Sequence, residues 1–313
     1  MIVRWGLGEL RAVCAEAGVG SPLLVASPRW HDVPLDAVAR WREVPSERVG
    51  EAAALASGGV VALGGGSAID LGKAISAAAD VPLVSVPTTY SGAEWTSYFG
   101  VRDPERKLRG GGGGAHPEGI VYEVELTLDL PRETTVGTAL NALAHCAEAL
   151  YVDGHNDEAD AHALEGTRLI GSALPRVVGR PHDRDARSEL LRGACHAGAA
   201  LGGSGLALAH AMAQAVGGHY GLPHGTLNGI CLPPALRWNA QWAPDAVARF
   251  REALGADVGE LAALGGVTRL RELGVPETDL PKLAEAAAGR AGNRANPRPA
   301  TAAEIESLLR SVY

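Results

Sequence analysis

Three histidines in the second half of the chain have neighbours and spacings suited to a shared chemical site. His210 and His224 lie on either side of a Gly217-Gly218 break, and Asn141 precedes His145 by four positions. On a helix, that spacing puts both side chains on one face. Imidazole groups can bind a metal ion or transfer protons near neutral pH. The sequence therefore predicts one polar site built from His145, His210 and His224, with Asn141 beside them.

The remaining histidines are interpreted differently, because an isolated histidine is more often an ordinary core or surface residue. His219 follows the glycine break and is interpreted as a loop residue, with a role as proton donor as the alternative. The others are expected to have no chemical role: His31, His116, His155, His162, His182 and His196.

A glycine-rich turn in the first half of the chain has the composition of a phosphate-binding turn. Gly64–Ser67 (G-G-G-S) follows the apolar run 59–63 and precedes a helical pattern over residues 68–79. Glycines let the backbone approach a pyrophosphate, and the free N–H groups at a helix start attract its charge. The turn matches neither G-x-G-x-x-G nor G-x-x-x-x-G-K-[ST], so an ordinary strand–helix connection is the alternative. The alternative for Asp70, in the first helical turn, is a favourable electrostatic interaction of its carboxylate with the helix dipole.

A second loop follows the next apolar run, over residues 81–86. It is Pro87–Glu94, P-T-T-Y-S-G-A-E, and it is rich in hydroxyl groups. Ligands of open α/β sheets bind at the carboxyl ends of the strands. Two such loops after neighbouring strands predict a nucleotide site.

The first part of the chain alternates strand-length apolar runs with helical patterns. Strands are expected over residues 22–26, 59–63, 81–86 and 120–124, and helices over 6–18, 45–56 and 68–79. This order favours a parallel sheet with helices outside it. The stretch 107–119 contains five consecutive glycines and is predicted to be a flexible surface loop. A lid that orders on a ligand is the alternative.

From residue 134 the pattern is helical almost throughout, with no convincing strand. Helices are expected over residues 134–152, 156–172, 184–200, 206–216 and 244–254. We therefore expect a Rossmann-like α/β dinucleotide-binding domain over residues 1–131 and an all-α domain over residues 132–313. A cleft between two such domains is the usual place for a ligand.

The composition excludes several classes of protein. The 313 residues carry a formal charge of −8, which argues against nucleic acid as a partner. No apolar stretch reaches the roughly 18 residues that span a bilayer, so no membrane partner is expected. The N-terminus has no secretory pattern, and the four cysteines form no C-x-x-C pair. A reduced, cytoplasmic protein with buried thiols is the expectation.

Four ordered motifs give the chain a resemblance to the iron-containing alcohol dehydrogenase superfamily. They are G-G-G-S-A-I-D at 64–70, P-T-T-Y-S-G-A-E at 87–94, L-N-A-L-A-H at 140–145, and the histidines at 210 and 224. Y-S-G-A-E and the asparagine at 141 are most similar to its maleylacetate reductase branch. The resemblance runs from about residue 5 to residue 239. It implies a dehydroquinate-synthase-like architecture and hydride transfer between NAD(P)H and a carbonyl compound.

The resemblance also implies roles for individual residues. Asp70 would lie near the nicotinamide side of the site. The pyrophosphate contacts would come from Gly64, Gly65, Gly66 and Ser67. The cofactor pocket would be lined by Thr88, Thr89 and Tyr90. The four positions that hold a divalent ion in metal-dependent members match Asn141, His145, His210 and His224.

Three departures from the family pattern matter for the chemistry. Asn141 replaces a carboxylate ligand, and three imidazoles with an amide bind a hard dication more weakly. The maleylacetate reductase branch also has Asn there and is described as metal-free, so we expect no metal and histidines that act on the substrate. Gln214 stands where relatives often have a histidine. Ser27 replaces an aspartate that holds the ribose of NAD, and with Arg29 nearby it favours NADP over NAD.

The leading hypothesis is a metal-independent NAD(P)H-dependent reductase of a small, anionic carbonyl or enone substrate. Lys107, Arg109 and Arg237 could bind a carboxylate, with solvated surface charge as the alternative. A second hypothesis keeps the fold but assigns non-redox acid–base chemistry, as in a lyase, dehydratase or cyclase. A third is a non-catalytic binding protein. A homodimer is expected from the resemblance alone.

Overall fold

The computed structural model describes residues 1–30, 33–105 and 107–313. These residues divide into two compact units, Met1–Thr127 (unit 1) and Leu128–Tyr313 (unit 2). His31, interpreted above as an ordinary histidine, lies outside the described residues.

Unit 1 is built on a parallel sheet. Its strands are β1 Ile2–Trp5, β2 Leu23–Val25, β3 Ala39–Trp41, β4 Val60–Gly64, β5 Leu83–Pro87, β6 Phe99–Arg102, β7 Leu108–Gly112 and β8 Gly119–Tyr122. Its α-helices are α1 Leu10–Glu16, α2 Val49–Ala53 and α3 Gly66–Ala79. Six strands pair in the order β1-β8-β5-β4-β2-β3, all parallel, and β6 and β7 form a separate antiparallel pair.

The sheet forms because its central strands are continuous apolar runs, which suit burial on both faces. Alternate residues of β4 point to opposite sides. Val61 and Leu63 join the core that contains Leu10 of α1. Val60 joins the core that contains Ile75 of α3. The expected α/β class with a parallel sheet is confirmed.

The glycine-rich stretch differs from the prediction. Residues 108–112 form strand β7, so the flexible loop expected there is wrong for this part of it. Gly111 pairs with Gly100 of β6, and a Cβ added to Gly111 would lie 2.7 Å from the carbonyl oxygen of Phe99. Glycines therefore allow the close approach of the two backbones. Strands β1 and β3 were also not expected from the sequence.

Unit 2 is helical throughout its described residues, which confirms the expected all-α part of the chain. Its α-helices are α4 Arg132–Ala149, α5 Asp157–Gly179, α6 Arg184–Gly203, α7 Leu208–Tyr220, α8 His224–Asn239, α9 Pro244–Leu254, α10 Val258–Ala263, α11 Leu280–Ala288, α12 Ala291–Arg294 and α13 Ala302–Arg310. Helix α4 packs against α5, α6 and α8 and is buried over most of its length. No described helix has the length and apolarity needed to cross a membrane.

The cysteines follow the expectation of buried thiols, with one exception. Cys14, Cys146 and Cys231 are buried, and Cys195 is half-buried. Burial raises the pKa of Cys14 to about 11 and that of Cys146 to about 12. These thiols act as small apolar groups of the core.

Candidate active site

Helix α4 carries three polar side chains on one otherwise apolar surface. Asn141, His145 and Glu148 follow each other at helical spacing, so they share a face. The residues between them are apolar or small and buried, which fixes the helix in the core of unit 2. Asn141 and His145 are 4% and 3% exposed, and Glu148 is fully buried. Polar groups at this depth need partners from neighbouring helices.

Those partners include His210 and His224. The helix break expected at Gly217-Gly218 is wrong, because both glycines and His219 lie inside α7, which ends at Tyr220. Helix α7 carries His210, and the chain turns through Gly221 with φ 69° before His224 begins α8. The ring of His210 stacks on that of His145, with centroids 4.8 Å apart. The centroid of His224 lies 5.6 Å from that of His210. The structure therefore brings together the three histidines selected from the sequence.

The side-chain oxygen of Asn141 lies at the centre of the cluster. It accepts a hydrogen bond of 2.6 Å from Nδ2 of Asn228, and Nε2 of His210 lies 3.3 Å from it. Asn228 Nδ2 also lies 3.0 Å from Nε2 of His224, and Asn141 Nδ2 lies 3.3 Å from Nε2 of His145. We call these residues, Asn141, His145, His210, His224 and Asn228, the His–Asn cluster.

Glu148 fixes His210 from the side opposite to Asn141. Its carboxylate accepts hydrogen bonds from the N–H groups of Ala207 (2.7 Å) and His210 (3.1 Å) at the start of α7. These N–H groups have no partner within the helix, and the helix start favours a negative charge. The same carboxylate lies 2.7 Å from Nδ1 of His210. A carboxylate only accepts hydrogen bonds, so Nδ1 carries the hydrogen and Nε2 faces the cluster.

Sequence reasoning did not select Glu148 or Asn228. A signal was present for both. Glu148 is three positions after His145 in an apolar helix, and Asn228 is four positions after His224. An acidic residue on the buried face of an apolar helix needs a partner, which is itself a sign of a site.

His145 is held in a neutral form by its surroundings. Burial lowers its pKa well below the ordinary value, and the nearby His210 and His224 add to the effect. Its Nδ1 atom is buried without a hydrogen-bond partner in the described part of the chain. The ring can therefore accept or donate one hydrogen bond but resists becoming a cation.

The donor set of the cluster has no carboxylate at its centre. Its oxygens there are the neutral amide oxygens of Asn141 and Asn228, and the Glu148 carboxylate lies on the far side of His210. Neutral amides bind a hard divalent ion more weakly than carboxylates do. The amide nitrogen of Asn228, which has no lone pair to offer, approaches both Asn141 and His224. Across residues 1–30, 33–105 and 107–313, no three His, Cys, Asp or Glu side chains are arranged to hold a metal.

In unit 1, the glycine-rich turn joins β4 directly to α3. Gly64 has φ 152°, and a Cβ there would lie 2.7 Å from Cβ of Ala68. A Cβ on Gly65 would lie 3.0 Å from Cγ2 of Thr89. The glycines thus bring the helix start close to the loop after β5. This is the close backbone approach that a pyrophosphate site requires.

Two buried hydroxyl groups lie beside this turn. Thr88 Oγ1 and Thr89 Oγ1 are buried, and neither has a hydrogen-bond partner among the described residues. Unpaired buried polar groups are rare in folded proteins, and a ligand can satisfy them. Tyr90 of the same loop is fully buried. The turn and its neighbouring hydroxyls therefore fit the phosphates of a dinucleotide.

Asp70 and Ser27, also expected near the cofactor, have other contacts. Asp70 accepts from Lys73 Nζ (3.2 Å) and from the N–H of Gly100 (3.1 Å), so it ties β6 to α3. Ser27 is half-buried, and its carbonyl accepts from the N–H of Trp30 in a turn after β2. Arg29 lies over the ring of Trp30 at 4.5 Å.

The cations proposed from the sequence as carboxylate ligands already have partners. Lys107 pairs with Glu105 at 2.8 Å, and Arg109 donates to Asp103 at 2.6 Å. Arg237 donates to the hydroxyl of Ser311 at 3.2 Å. Lys107 and Arg109 lie on the surface of the β6–β7 pair, which favours the alternative of solvated surface charge.

Comparisons with known proteins place these features in context. Residues 7–117 match the family described as iron-containing alcohol dehydrogenase, and residues 135–313 match its C-terminal family, Fe-containing alcohol dehydrogenase. Maleylacetate reductase of Burkholderia cepacia is 39% identical over 269 residues, 84% of this chain and 76% of that protein. Maleylacetate reductase 1 of Rhodococcus opacus is 39% identical over 260 residues, 81% of this chain and 72% of that protein.

Solved structures of the same family are similar to this chain over its whole length. The crystal structure of maleylacetate reductase from Agrobacterium tumefaciens has a TM-score of 0.88 and 30% identity, covering 100% of this chain and 95% of that one. The iron-containing alcohol dehydrogenase of Corynebacterium glutamicum has a TM-score of 0.90 and 29% identity, covering 100% and 94%.

Proposed function

Because the chain belongs to the iron-containing alcohol dehydrogenase family, within its maleylacetate reductase branch, we propose that it reduces a small anionic carbonyl or enone compound without a metal. The chain is an oxidoreductase, and its relatives support an NAD(P)H-dependent reductase. In this proposal unit 1 binds the dinucleotide and unit 2 binds the substrate and supplies the proton. The substrate class is that of the maleylacetate reductases.

The His–Asn cluster is the observation that carries the proposal. Three imidazole rings from three helices lie side by side against the amides of Asn141 and Asn228, and a buried carboxylate orients one of the rings. Burying this many polar groups is costly for stability, so the arrangement has to serve another purpose. An acid–base site is the chemistry that these groups can perform near neutral pH.

The residues of the chain have separate tasks in the reaction. NADPH or NADH supplies, when bound, a hydride from its nicotinamide ring. The cluster hydrogen-bonds the substrate oxygen through an Nε2 or amide group and polarises the carbonyl. His210 or His224 gives the proton that balances the hydride, so that C=O becomes CH–OH, or an enone becomes a saturated ketone, whereas the neutral His145 hydrogen-bonds the substrate oxygen. Glu148 holds His210 in place for this role.

The cofactor assignment rests on the turn and hydroxyls of unit 1. Gly64, Gly65, Gly66 and Ser67 would contact the pyrophosphate through backbone N–H groups, and Thr88 and Thr89 would use their unpaired hydroxyls. We favour NADP over NAD. Ser27 offers no carboxylate to repel a 2′-phosphate, and Arg29 is exposed close to it.

The absence of a carboxylate at the centre of the cluster supports metal independence. The proposed reaction needs no metal, because hydrogen-bonding imidazoles can stabilise the developing oxyanion. The same residues that hold an ion elsewhere in the family would then act directly on the substrate.

Calorimetric titration with NADPH and NADH tests the proposal first. We expect binding of NADPH at micromolar to low millimolar concentrations and weaker binding of NADH. Loss of the reduced-nicotinamide absorbance is then followed with maleylacetate and with uncharged ketones. Failure of both dinucleotides to bind would exclude the redox function and leave the non-redox alternatives.

A further inference from the structure

Arg290 is a partly buried cation without an acidic partner. It lies between α11 and α12, and none of the ion pairs of the described residues includes it. Burial lowers the pKa of its guanidinium. Its Nε atom is buried and has no hydrogen-bond partner in the described parts of the chain. A buried charge without a counter-ion destabilises a protein unless a ligand provides one.

The contacts of Arg290 place it on the face of α7 that carries His210. Nη1 donates to Oε1 of Gln214 (3.4 Å), and Nη2 donates to the Gln214 carbonyl (3.1 Å). A Cβ added to Gly218 would lie 3.7 Å from Nη2. His210, Gln214 and Gly218 are spaced by four residues, so they form one row along the helix.

This row runs from the interior to the surface of unit 2. His210 is fully buried, Gln214 is half-buried and Gly218 is exposed. One helical step of four residues is about 6 Å, so Arg290 lies roughly that distance from the level of His210. A chain of about four carbons between a reacting oxygen and a carboxylate spans a similar length.

The chemistry of the guanidinium group identifies its ligand. Arginine has five N–H donors in a planar fork, and the bonds to Gln214 use only two of them. Carboxylates match this fork with two parallel hydrogen bonds. Gly218 is exposed and has no side chain, so nothing from this position covers the guanidinium.

From these contacts we propose that Arg290 binds the carboxylate at the distal end of the substrate and selects acidic substrates. The proposal rests on the reductase function for its reacting end. Gln214 orients the guanidinium. The glutamine that stands where the resemblance leads us to expect a histidine therefore serves to position Arg290. The cluster around His210 acts on the oxygen, and Arg290 holds the other end of the molecule.

A purely structural role is the competing explanation. In that case Arg290 only joins α12 to α7 through the Gln214 carbonyl, and its replacement lowers the free energy of unfolding without changing ligand selectivity. The two roles differ in one measurable quantity, the ratio of KM for an acidic substrate to KM for an uncharged one.

The first test measures binding of glutarate, a dicarboxylate with no reducible carbonyl, by calorimetry. Arg290→Gln should weaken its binding about 10- to 100-fold, and Arg290→Lys should restore part of it. Arg294→Gln is the matched control, because Arg294 is exposed at the end of α12, the short helix that Arg290 precedes, and its replacement removes the same charge. Unchanged glutarate binding in Arg290→Gln, an equal loss in Arg294→Gln, or no binding by the wild type would each overturn the proposal.

The second test uses turnover. For a dicarboxylic substrate, Arg290→Gln should raise KM about 10- to 100-fold with little change in kcat, because uniform binding is lost. For an uncharged ketone KM should not change. Equal effects on both substrates would support the structural role instead. If the wild type binds glutarate but never oxidises NADPH, the reductase function fails while the carboxylate site stands.

Discussion

At the scale of single residues, Glu148 has the strongest effect on the geometry of the site. It is the only carboxylate in contact with His210 among the described residues, and it also satisfies two N–H groups at the start of α7. One side chain thus links the stability of the helix to the orientation of the imidazole. A residue of this kind does not touch the substrate, and it acts through His210.

Glu148→Gln should therefore damage both stability and turnover. An amide in this place must direct an N–H group at one of three donors, which leaves a buried polar group unpaired. We expect a loss of about 1–3 kcal/mol in the free energy of unfolding. We expect kcat to fall on the order of 100-fold. Chemical denaturation and steady-state kinetics measure the two effects.

Glu252→Gln, at an exposed position of α9, is the control and should change neither the free energy of unfolding nor kcat. A wild-type kcat in Glu148→Gln would show that His210 needs no positioning.

His145 should make the protein sensitive to mild acid. Its pKa in the folded state lies below the ordinary value of 6.5, so the unfolded chain takes up the proton first as the pH falls. Stability should be lost between pH 6.5 and the folded pKa, by up to about 1.4 kcal/mol per pH unit. His145→Gln should reduce this slope, as followed by urea unfolding at several pH values. His182→Gln, at an exposed position, is the control. An unchanged slope in His145→Gln would contradict a neutral buried ring.

The sequence identified the residues of the site that belong to motifs and missed those that serve them. Asn141, His145, His210 and His224 carry recognisable spacings. Arg290 does not, because its role depends on helices α7 and α12 meeting in space, and no local pattern records that. Gln214 was noticed only as a departure, and its contact with Arg290 gives it a physical role.

At the scale of elements, the glycine-rich turn and its helix form one packed unit. Gly72 faces β4 from α3, and a Cβ there would lie 2.5 Å from Cβ of Ala62. The helix lies this close because the turn between β4 and α3 is short. The position of the helix start, and with it the proposed phosphate site, therefore depends on a small residue in the middle of the helix.

Gly72→Ala should push α3 away from the sheet. We expect a loss of about 1–3 kcal/mol in unfolding free energy from overpacking, together with weaker NADPH binding. Gly50→Ala is the matched control, because Gly50 is also helical but has no atom within 4 Å of the added Cβ. It should be neutral or stabilising by about 0.5–1 kcal/mol. Thermal unfolding and NADPH titration measure both. Unchanged NADPH affinity in a destabilised Gly72→Ala would show that the position of α3 does not determine cofactor binding.

Elements with strong side-chain patterns were predictable, and those without them were not. Strands β2, β4 and β5 are apolar runs, and α4 is a long apolar helix. Three of the five residues of strand β7 are glycine, so it has no alternation of side chains, and its main-chain pairing with β6 creates the strand. Strands β1 and β3 are short and carry arginine, and they depend on pairing with β8 and β2.

At the scale of the whole molecule, the order of motifs along the chain predicted the fold class, because each motif lies at a fixed place in the dehydroquinate-synthase-like architecture. That architecture is confirmed by the relatives and by the parallel sheet followed by helices. The chemistry does not follow from the fold in the same way. A single atom type at the site can change the chemistry, and Asn141, an amide where the resemblance implies a carboxylate in metal-dependent members, is the position to test.

Metal dependence should therefore be decided by one residue. Dialysis of the wild-type protein against EDTA should leave kcat within about twofold, since the cluster lacks an anionic oxygen donor. Asn141→Asp places a carboxylate among His145, His210 and His224. We expect it to bind Zn²⁺ about 10- to 100-fold more tightly than the wild type, because an anionic oxygen replaces a neutral one. Its activity should then respond to EDTA.

Gln241→Glu is the matched control for this charge change, because it also turns an amide into a carboxylate and Gln241 is exposed in the turn after α8. It should bind no additional Zn²⁺ and keep wild-type kinetics. Calorimetric Zn²⁺ titration and kcat before and after dialysis give the comparison. If EDTA abolishes wild-type activity and a divalent ion restores it, the amide of Asn141 is a sufficient ligand and the histidines act through a metal. If Asn141→Asp alone becomes metal-dependent, the difference between the two chemistries of this family lies in one carboxylate.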